Sequence, residues 1–353
     1  MIIEFIFNQK GKRIRTHKSI SKKNNTKKVI LFFLILSIIV LYRMTNGNFK
    51  IRGVKEFISK KEMNYYRNII YKSKYDLKVA LCTMGKMENL YVKEYVEYYK
   101  KLGVDHIFLY DDNEPGTEKF SDVINRNYQD IVSIYNAKSF IINNQSMAFT
   151  DCYNNNKNKY DWFLMFDMDE FLYIVNDTLK GYLSNNIFNK CDFIKLHWVI
   201  STDNNLVYYD SRPLFERFKP PYIKSVFIKS IIRGNIPDLK YWVHSPFVSS
   251  KRNTTCNNEG NIIYYKNMNF ESINPININR AYLIHFRYKS TEELVNKIKR
   301  GYGNWFENRL QNFLIDLIRE YLNSNNATLE KISFIEKKLN LDLSEYKKKL
   351  TKI

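Results

Sequence analysis

The chain has 353 residues, enough for one large domain with appendages or for two small domains. Its residues are 44% hydrophobic and 16% aromatic, a content that is sufficient to form a hydrophobic core and that excludes a disordered chain. The formal net charge of +20 is compatible with nucleic acid, anionic lipid or phosphorylated small molecules as partners. However, lysine, asparagine, isoleucine and tyrosine are all frequent together, which indicates compositional bias rather than a functional signal. We therefore expect no nucleic-acid partner. The four cysteines lack C-x-x-C spacing, which argues against a zinc site and leaves their pairing open.

The first predicted element is a membrane anchor near the amino terminus. Residues 29–42 carry no charge and follow a basic tail, residues 1–28. As a helix this stretch spans about 21 Å, and extension past Arg43 to Met44 brings it nearer to the roughly 30 Å of a bilayer core. A cleaved secretory signal and a buried core helix are the alternatives. We predict a signal anchor at 29–43 with a cytoplasmic tail, as in a type II membrane protein of the Golgi or endoplasmic reticulum if the cell is eukaryotic.

A stem and then a folded domain follow the anchor. Residues 44–75 are polar and basic without a sustained period, and we interpret them as the stem. Residues 77–84 form a short apolar run that predicts a buried strand, and residues 88–104 repeat aromatic and apolar side chains at helical spacing. Gly103 stands where that helix is expected to end. A second strand is predicted at 105–113.

The next segments continue the alternation of helix and strand. Residues 117–127 have a helical pattern, and strands are predicted at 131–135 and 161–166. This alternation indicates an open α/β sheet, which binds ligands beyond the carboxyl ends of its strands. The chain has no glycine-rich dinucleotide motif or P-loop. We predict that the α/β domain covers 76–305 and that a helical extension covers 306–353.

Acidic residues cluster at the ends of two of these strands. Asp111 and Asp112 end the second strand, and Asp167, Asp169 and Glu170 follow the fourth. Two carboxylates one residue apart at the end of a strand suit a hard cation such as Mg²⁺ or Mn²⁺, which can bridge to a diphosphate. An isolated D-x-D is more often a solvated turn, but the buried strand before this one favours a site.

Several blocks of the chain occur in an order that is similar to that of a known family. They are ENLYVKEYVEYYKKLGVDHIFLYDDNEPGTEKFSDVI, DCYNNNKNKYDWFLMFDMDEFL, STDNNLVYYDSRPLFERF, IKSIIRG, VHSP and HFRYKSTEELVNKIKRG. Together they resemble glycosyltransferase family 92, formerly domain of unknown function 23, and the family-2-like group with the GT-A fold. The resemblance runs from about Lys78 to Asn304. It implies a GT-A-like open mixed sheet flanked by helices, and an inverting, metal-dependent hexosyltransferase.

The resemblance also implies a metal site and a donor site. Asp167 and Asp169 match the metal-binding pair, expected to hold Mn²⁺ or Mg²⁺ against the diphosphate of a nucleotide sugar. His244 or His285 is expected to add a ligand, with His244 preferred, although a lone histidine in an apolar strand is more often a core residue. Asp111 and Asp112 match the strand end that contacts the nucleoside. Basic residues expected near the diphosphate are Lys229, Arg233, Lys289, Lys297 and Arg300.

An inverting enzyme further needs a carboxylate that accepts the proton of the acceptor hydroxyl. We prefer Asp203 for this role, with Glu216 as the second candidate, because Glu216 stands beside Arg217 and can form a structural ion pair instead.

The donor and the acceptor are less constrained by the residues. Met87, Tyr95 and Tyr99 replace residues that are common in the family, which leaves the identity of the glycan or glycoconjugate acceptor open. Because the family contains galactosyltransferases, UDP-galactose is the first donor to test. A phosphotransferase or nucleotidyltransferase that uses the same acidic pair is a second enzymatic alternative. The sequence shows neither the nucleophile nor the glycine-rich phosphate loop that such an enzyme would need. A membrane-tethered protein that binds metal or glycan without turnover is the remaining alternative.

Overall fold

The computed structural model of the chain describes residues 76–350 except 125, 141–143, 243, 249–252, 264–271 and 302–306. These residues belong to one unit of the chain, Lys72–Ile353. The tail, anchor and stem predicted at 1–75 lie outside the described residues. Among the helices that are described, none is both long and apolar enough to cross a bilayer.

The centre of the fold is an open mixed sheet, as predicted. From one edge to the other its strands lie in the order β3-β2-β1-β4-β7-β6-β11-β5, with β10 beside β6, while β8 and β9 pair separately. The strands are β1 (Val79–Gly85), β2 (His106–Asp111), β3 (Val132–Asn136), β4 (Trp162–Met165), β5 (Glu170–Ile174), β6 (Phe193–Ile200), β7 (Ile223–Arg233), β8 (Leu239–Trp242), β9 (Ser245–Val248), β10 (Thr255–Cys256) and β11 (Ala281–His285).

Strand direction brings the candidate residues to one edge of the sheet. Strands β3, β2, β1 and β4 are parallel, and β7 runs antiparallel to both β4 and β6. Strand β11 is parallel to β6, and β5 is antiparallel to β11. The carboxyl ends of β1, β2, β3, β4, β6 and β11 therefore lie side by side, and we name this row of strand ends the carboxyl edge.

Helices flank the sheet and continue beyond it at the carboxyl terminus. They are α1 (Asn89–Leu102), α2 (Phe120–Val123), α3 (Asn144–Asn156), α4 (Leu179–Leu183), α5 (Leu214–Arg217), α6 (Thr291–Lys299), α7 (Glu307–Ser324), α8 (Leu329–Leu339) and α9 (Ser344–Leu350). Within the described residues, the helix predicted at 117–127 corresponds to the single turn α2 and a 3₁₀ turn at Arg126–Tyr128. Helix α1 ends at Gly103, as its spacing predicts, because Gly103 adopts a left-handed conformation with φ of 101°.

Both faces of the sheet are covered by core. Along β1, Val79 and Leu81 face one hydrophobic cluster, and Ala80 and Cys82 face the other. This alternation follows from the period of two in a strand, and burial on both faces explains why β1 has a continuous apolar sequence. On α1 the aromatic side chains form most of the buried face, but Leu90 is 66% exposed despite its helical spacing.

Two disulfides link distant segments of this fold. Cys82 of β1 pairs with Cys152 of α3, and Cys191 pairs with Cys256 of β10. Each bond closes a long loop, which restricts the unfolded chain. The sequence left this pairing open because the four cysteines are far apart along the chain.

The carboxyl-terminal helices share the main core. Leu317, Tyr321 and Leu322 of α7 and Ile332 of α8 are buried and belong to the cluster that also contains β1, β4 and β6 residues. The helices after residue 306 are therefore packed into the same core as the sheet.

Candidate functional site

The strand order of the sheet reverses between β1 and β4. Strands β1, β2 and β3 extend from this point in one direction, and β4 starts the other half of the sheet. Such a reversal of strand order opens the space in which α/β sheets bind ligands. Gly85, the last residue of β1, allows the loop after β4 to approach closely, because a Cβ atom there would lie 2.0 Å from Met168 Sδ.

The loop after β4 carries the acidic residues that the sequence singled out. The side chain of Asp167 is 27% exposed and that of Asp169 is 9% exposed, while Glu170 is fully buried. Glu170 accepts a hydrogen bond from the backbone N–H of Asp167 at 3.0 Å. The Tyr99 hydroxyl of α1 donates to the Glu170 carbonyl at 2.8 Å and accepts from the N–H of Leu172 at 3.1 Å. These hydrogen bonds fix the backbone of the loop.

Asp167 contacts a buried lysine of the central strand β7. Lys229 Nζ lies 2.9 Å from both carboxylate oxygens of Asp167 and 4.0 Å from Glu170 Oε1. Burial alone would lower the pKa of Lys229, but Asp167 and Glu170 outweigh burial and raise it. Burial raises the pKa of Glu170 well above its usual range. Gln145 of α3 also donates to Asp167, at 2.6 Å.

Asp169 contacts a second lysine and a histidine. Lys297 Nζ of α6 lies 2.7 Å from Asp169 Oδ2, and His285 Nε2, at the end of β11, lies 3.4 Å from Asp169 Oδ1. Burial opposes ionisation of Asp169, but Lys297 and His285 outweigh it and hold the pKa of Asp169 well below its usual range. Burial lowers the pKa of His285 and so favours its neutral form. The structure thus places His285, rather than the preferred His244, beside the acidic pair.

A further carboxylate at this edge, Glu88, was missed at the sequence level. It follows β1, is buried, and pairs with Lys289 Nζ at 2.8 Å and with Arg300 Nη1 at 2.7 Å. Lys289 Nζ also lies 3.7 Å from the centre of the Tyr91 ring. The signal was available, because Glu88 is an acidic residue after a predicted strand, as Asp111 and Asp167 are.

Asp111 and Asp112 are two further residues predicted for the donor site. Asp111 accepts hydrogen bonds from the backbone N–H groups of Asn113 and Phe120, so it caps α2. Asp112 forms an ion pair with Lys138 at 3.2 Å. Both lie at the carboxyl edge.

Arg233 lies away from this group. It is the last residue of β7 and pairs in register with Trp162, the first residue of β4. Its guanidinium donates to the carbonyls of Cys191 and Phe188 and lies over the Trp162 ring. The structure therefore places Arg233 at the opposite edge of the sheet, remote from Asp167.

His244 lies one aromatic ring away from His285. Both histidine rings pack on Trp198, with ring centres 5.1 Å and 4.5 Å from the indole. His244 Nδ1 contacts the Ile228 carbonyl at 2.9 Å, and burial lowers the pKa of His244 to about 2. Its other nitrogen is therefore an unprotonated acceptor at neutral pH.

The two predicted base candidates have different surroundings. Asp203 is 1% exposed, and its Oδ2 contacts the Tyr321 hydroxyl at 2.5 Å and Lys331 Nζ at 2.6 Å. Glu216 is exposed on α5, and Arg217 beside it pairs with Glu293 at 2.9 Å. The ion pair that we considered between Glu216 and Arg217 is therefore replaced by one between Arg217 and Glu293.

The donor atoms at Asp167 and Asp169 suit a divalent cation. Two carboxylates with a neutral imidazole from His285 are ligands that Mn²⁺ and Mg²⁺ accept. Within the described residues, however, no three His, Cys, Asp or Glu side chains already form a group that could hold a metal ion. The ligand types fit the metal, but Lys229 and Lys297 compensate both carboxylates in its place.

Comparison with known proteins identifies the class to which this chain belongs. Residues 75–315 match the model of glycosyltransferase family 92, which covers well over half of the chain. The chain therefore belongs to glycosyltransferase family 92, and the resemblance seen in the sequence is confirmed.

Two curated relatives are plant members of the same family. A glycosyltransferase family 92 protein of Oryza sativa subsp. japonica is 27% identical over 112 residues, which cover 30% of this chain and 18% of the relative. One from Arabidopsis thaliana is also 27% identical over 112 residues, which cover 31% of this chain and 18% of the relative. The chain thus covers less than a fifth of the length of these relatives.

Proposed function

We propose that this protein is a metal-dependent glycosyltransferase that moves a hexose from a nucleotide sugar to a glycan or glycoconjugate acceptor. The main support is the acidic loop Asp167–Glu170, which follows β4 where the strand order reverses and faces Lys229 of β7, Lys297 of α6 and His285 of β11. An open α/β sheet binds its ligand at such a reversal of strand order. Family membership supports the reaction class, and the loop is the site that we propose for it.

The cations of this edge suit the diphosphate of the donor. Lys289, Lys297 and Arg300 all come from the segment between β11 and the end of α6, and they converge on Glu88 and Asp169. Several positive groups around a buried acidic loop favour an anionic ligand that carries more than one charge. We expect these three side chains to bind the donor diphosphate.

Asp167, Asp169 and His285 are the side chains that would hold Mn²⁺ or Mg²⁺. A bound divalent cation would supply Lewis acidity that stabilises the negative charge on the departing diphosphate. The protein residues contribute the rest of the arrangement: Glu170 and Tyr99 fix the loop, and burial keeps His285 neutral. UDP-galactose remains the first donor to test.

An inverting reaction requires a base that the acceptor can reach. Of the two candidates Glu216 is exposed, and its helix α5 packs beside the start of β5, directly after the acidic loop, where the ring centres of Phe215 and Phe171 lie 5.3 Å apart. Asp203 is enclosed by Tyr321 and Lys331. We therefore propose Glu216, rather than Asp203, as the residue that accepts the proton of the acceptor hydroxyl.

We further propose that the enzyme is a type II membrane protein whose domain faces the Golgi or endoplasmic reticulum lumen. The support is the apolar stretch at 29–42 and the pairing of all four cysteines, since disulfides persist in oxidising compartments. Carbonate extraction tests the anchor, because an integral protein stays in the membrane pellet. Release of the full-length chain into the supernatant would contradict it.

The activity is tested with the full-length protein in detergent. The protein is incubated with individual nucleotide sugars and Mn²⁺, and release of the nucleotide is measured with and without a chelator. We expect hydrolysis of at least one UDP-hexose that the chelator stops. Mn²⁺ binding without turnover of any donor or transfer to any glycan would favour the non-catalytic binding protein instead.

A further inference from the structure

The two lysines at the acidic pair differ in how firmly they are held. Lys229 projects from the central strand β7, its side chain is fully buried, and it faces both Asp167 and Glu170. Lys297 projects from the last turn of α6, and its side chain is 16% exposed. Displacing Lys229 from Asp167 would leave its fully buried ammonium group without its nearest carboxylate. Lys297, however, can leave Asp169 by rotating its long side chain toward solvent.

Asp169 cannot hold Lys297 and a divalent cation at the same time without a large cost. Lys297 Nζ lies 2.7 Å from one carboxylate oxygen, and His285 lies 3.4 Å from the other. A metal ion that shared this carboxylate with Lys297 would place a second positive charge beside the ammonium group, and like charges repel strongly in a partly buried site. Metal binding at Asp169 therefore requires that Lys297 moves away.

Lys297 Nζ also donates to the Arg287 carbonyl at 3.0 Å, but this neutral group does not replace the negative charge of Asp169. Glu88 already pairs with Lys289 and Arg300, so a displaced Lys297 would join two further cations. The donor diphosphate supplies the missing negative charge. Its phosphate oxygens can accept hydrogen bonds from Lys297 and at the same time contact the metal, so the metal and the diphosphate stabilise each other.

We propose that Lys297 is a placeholder cation, which holds Asp169 until a divalent metal and the donor diphosphate bind together and then transfers to the diphosphate. This inference rests on the proposed metal-dependent function and adds an order to its binding steps. The metal alone should bind weakly, since it must displace Lys297 without compensation. In the presence of a nucleoside diphosphate the same displacement is compensated, and the metal should bind more tightly.

Calorimetric titration of Mn²⁺ into the full-length protein in detergent tests this coupling. Mn²⁺ is titrated alone and in the presence of UDP, with a protein-free blank to subtract the Mn²⁺–UDP complex. We expect Lys297→Gln to bind Mn²⁺ alone more tightly than the wild type by on the order of 10- to 100-fold, the strength of one charge-assisted hydrogen bond. UDP should then enhance Mn²⁺ binding less than it does in the wild type.

Two further variants separate this role from other effects. Lys299→Gln removes the same charge from an exposed position of the same helix, and we expect it to behave as the wild type. Lys297→Arg keeps a cation beside Asp169, so UDP should still enhance Mn²⁺ binding strongly. It also serves as the test if Lys297→Gln does not fold, since loss of the enhancement in Lys297→Arg would overturn the proposal.

The outcomes distinguish this inference from the function on which it rests. Equal affinity of the wild type and Lys297→Gln for Mn²⁺ alone would overturn the placeholder role and leave a metal-dependent enzyme intact. The same applies if Lys299→Gln gains as much affinity as Lys297→Gln, because the effect would then be one of net charge. Failure of every protein to bind Mn²⁺, with or without UDP, would contradict the metal-dependent function itself.

Discussion

Replacement of Asp203 by Asn should destabilise the fold rather than remove a catalytic base. The carboxylate is 1% exposed and contacts Lys331, whose side chain is also 1% exposed, at 2.6 Å. The Tyr321 hydroxyl donates to the same oxygen at 2.5 Å, and the N–H of Asn205 donates to the other at 2.9 Å. An amide can still accept from Tyr321, but it leaves the ammonium group of Lys331 buried without its counter-charge.

The expected size follows from breaking a buried ion pair. Removal of one partner of such a pair costs about 3–5 kcal/mol, because the remaining charge is uncompensated. For a domain of this size each kcal/mol lowers the melting temperature by about 2–4 °C, so we expect a decrease of about 6–20 °C. The measurement is urea unfolding followed by circular dichroism, together with a thermal scan. Asp316→Asn, on the exposed surface of α7, is the matched control and should change stability little.

A double-mutant cycle with Lys331→Met tests the cause. If the loss comes from the unpaired ammonium, Asp203→Asn should cost much less stability in the Lys331→Met background than in the wild type. Our reasoning would be refuted if Asp203→Asn unfolded like the wild type. In that case, a fall in turnover of on the order of 10² to 10⁴-fold with unchanged donor affinity would restore Asp203 as the base.

Three further predictions concern the acidic pair, a disulfide and a buried histidine. Asp167→Asn and Asp169→Asn should each reduce sugar transfer by on the order of 10²-fold or more, measured with the active donor. Asp167→Asn should also lower the melting temperature more than Asp169→Asn does, because the lysine partner of Asp167 is fully buried. Equal activity of either variant and the wild type would contradict the site. Replacing both Cys191 and Cys256 by Ala should lower the free energy of unfolding by about 4 kcal/mol in urea, since the bond closes a loop of 65 residues, and no loss would argue against this bond. Burial lowers the pKa of His197 and favours its neutral form in the folded state. The contribution of His197 to the free energy of unfolding is therefore complete above about pH 6.5 and decreases as the pH falls. Between pH 7 and pH 5 the wild type should therefore lose more stability in urea than His197→Gln does, by up to about 1.4 kcal/mol per pH unit, and equal losses would refute this.

The sequence alone predicted the elements whose signals are local. Strand β1, helix α1 with its end at Gly103, and strands β2, β3 and β4 were all located to within a few residues. Continuous apolar runs and a 3.6-residue period arise from each segment's own burial, and a glycine can end a helix through its own backbone. The acidic residues after β2 and β4 and the family also followed from the sequence. The outcome at 117–127, where the turn α2 and a short 3₁₀ turn form in place of one helix, did not follow from the helical pattern.

The partners of the acidic residues were decided only by the tertiary structure. Lys229 reaches Asp167 across 62 positions of sequence, and Lys297 reaches Asp169 across 128 positions. Nothing local distinguishes these two lysines from Arg233, which lies on the same strand as Lys229 but at the opposite edge of the sheet. Strand direction makes that difference, and it depends on how β7 pairs with β4 and β6.

The surroundings of Asp203 have the same origin. Its contact with Tyr321 spans 118 positions and exists because α7 and α8 pack into the main core beside the end of β6. From the sequence, a carboxylate in a polar segment is equally suited to accept a proton from a substrate or to pair with a buried lysine. Burial decides between these roles, because a carboxylate that is enclosed with a cation is stabilised in place and is withdrawn from substrate. Burial is a property of the packed chain, and the sequence fixes it only through the whole fold.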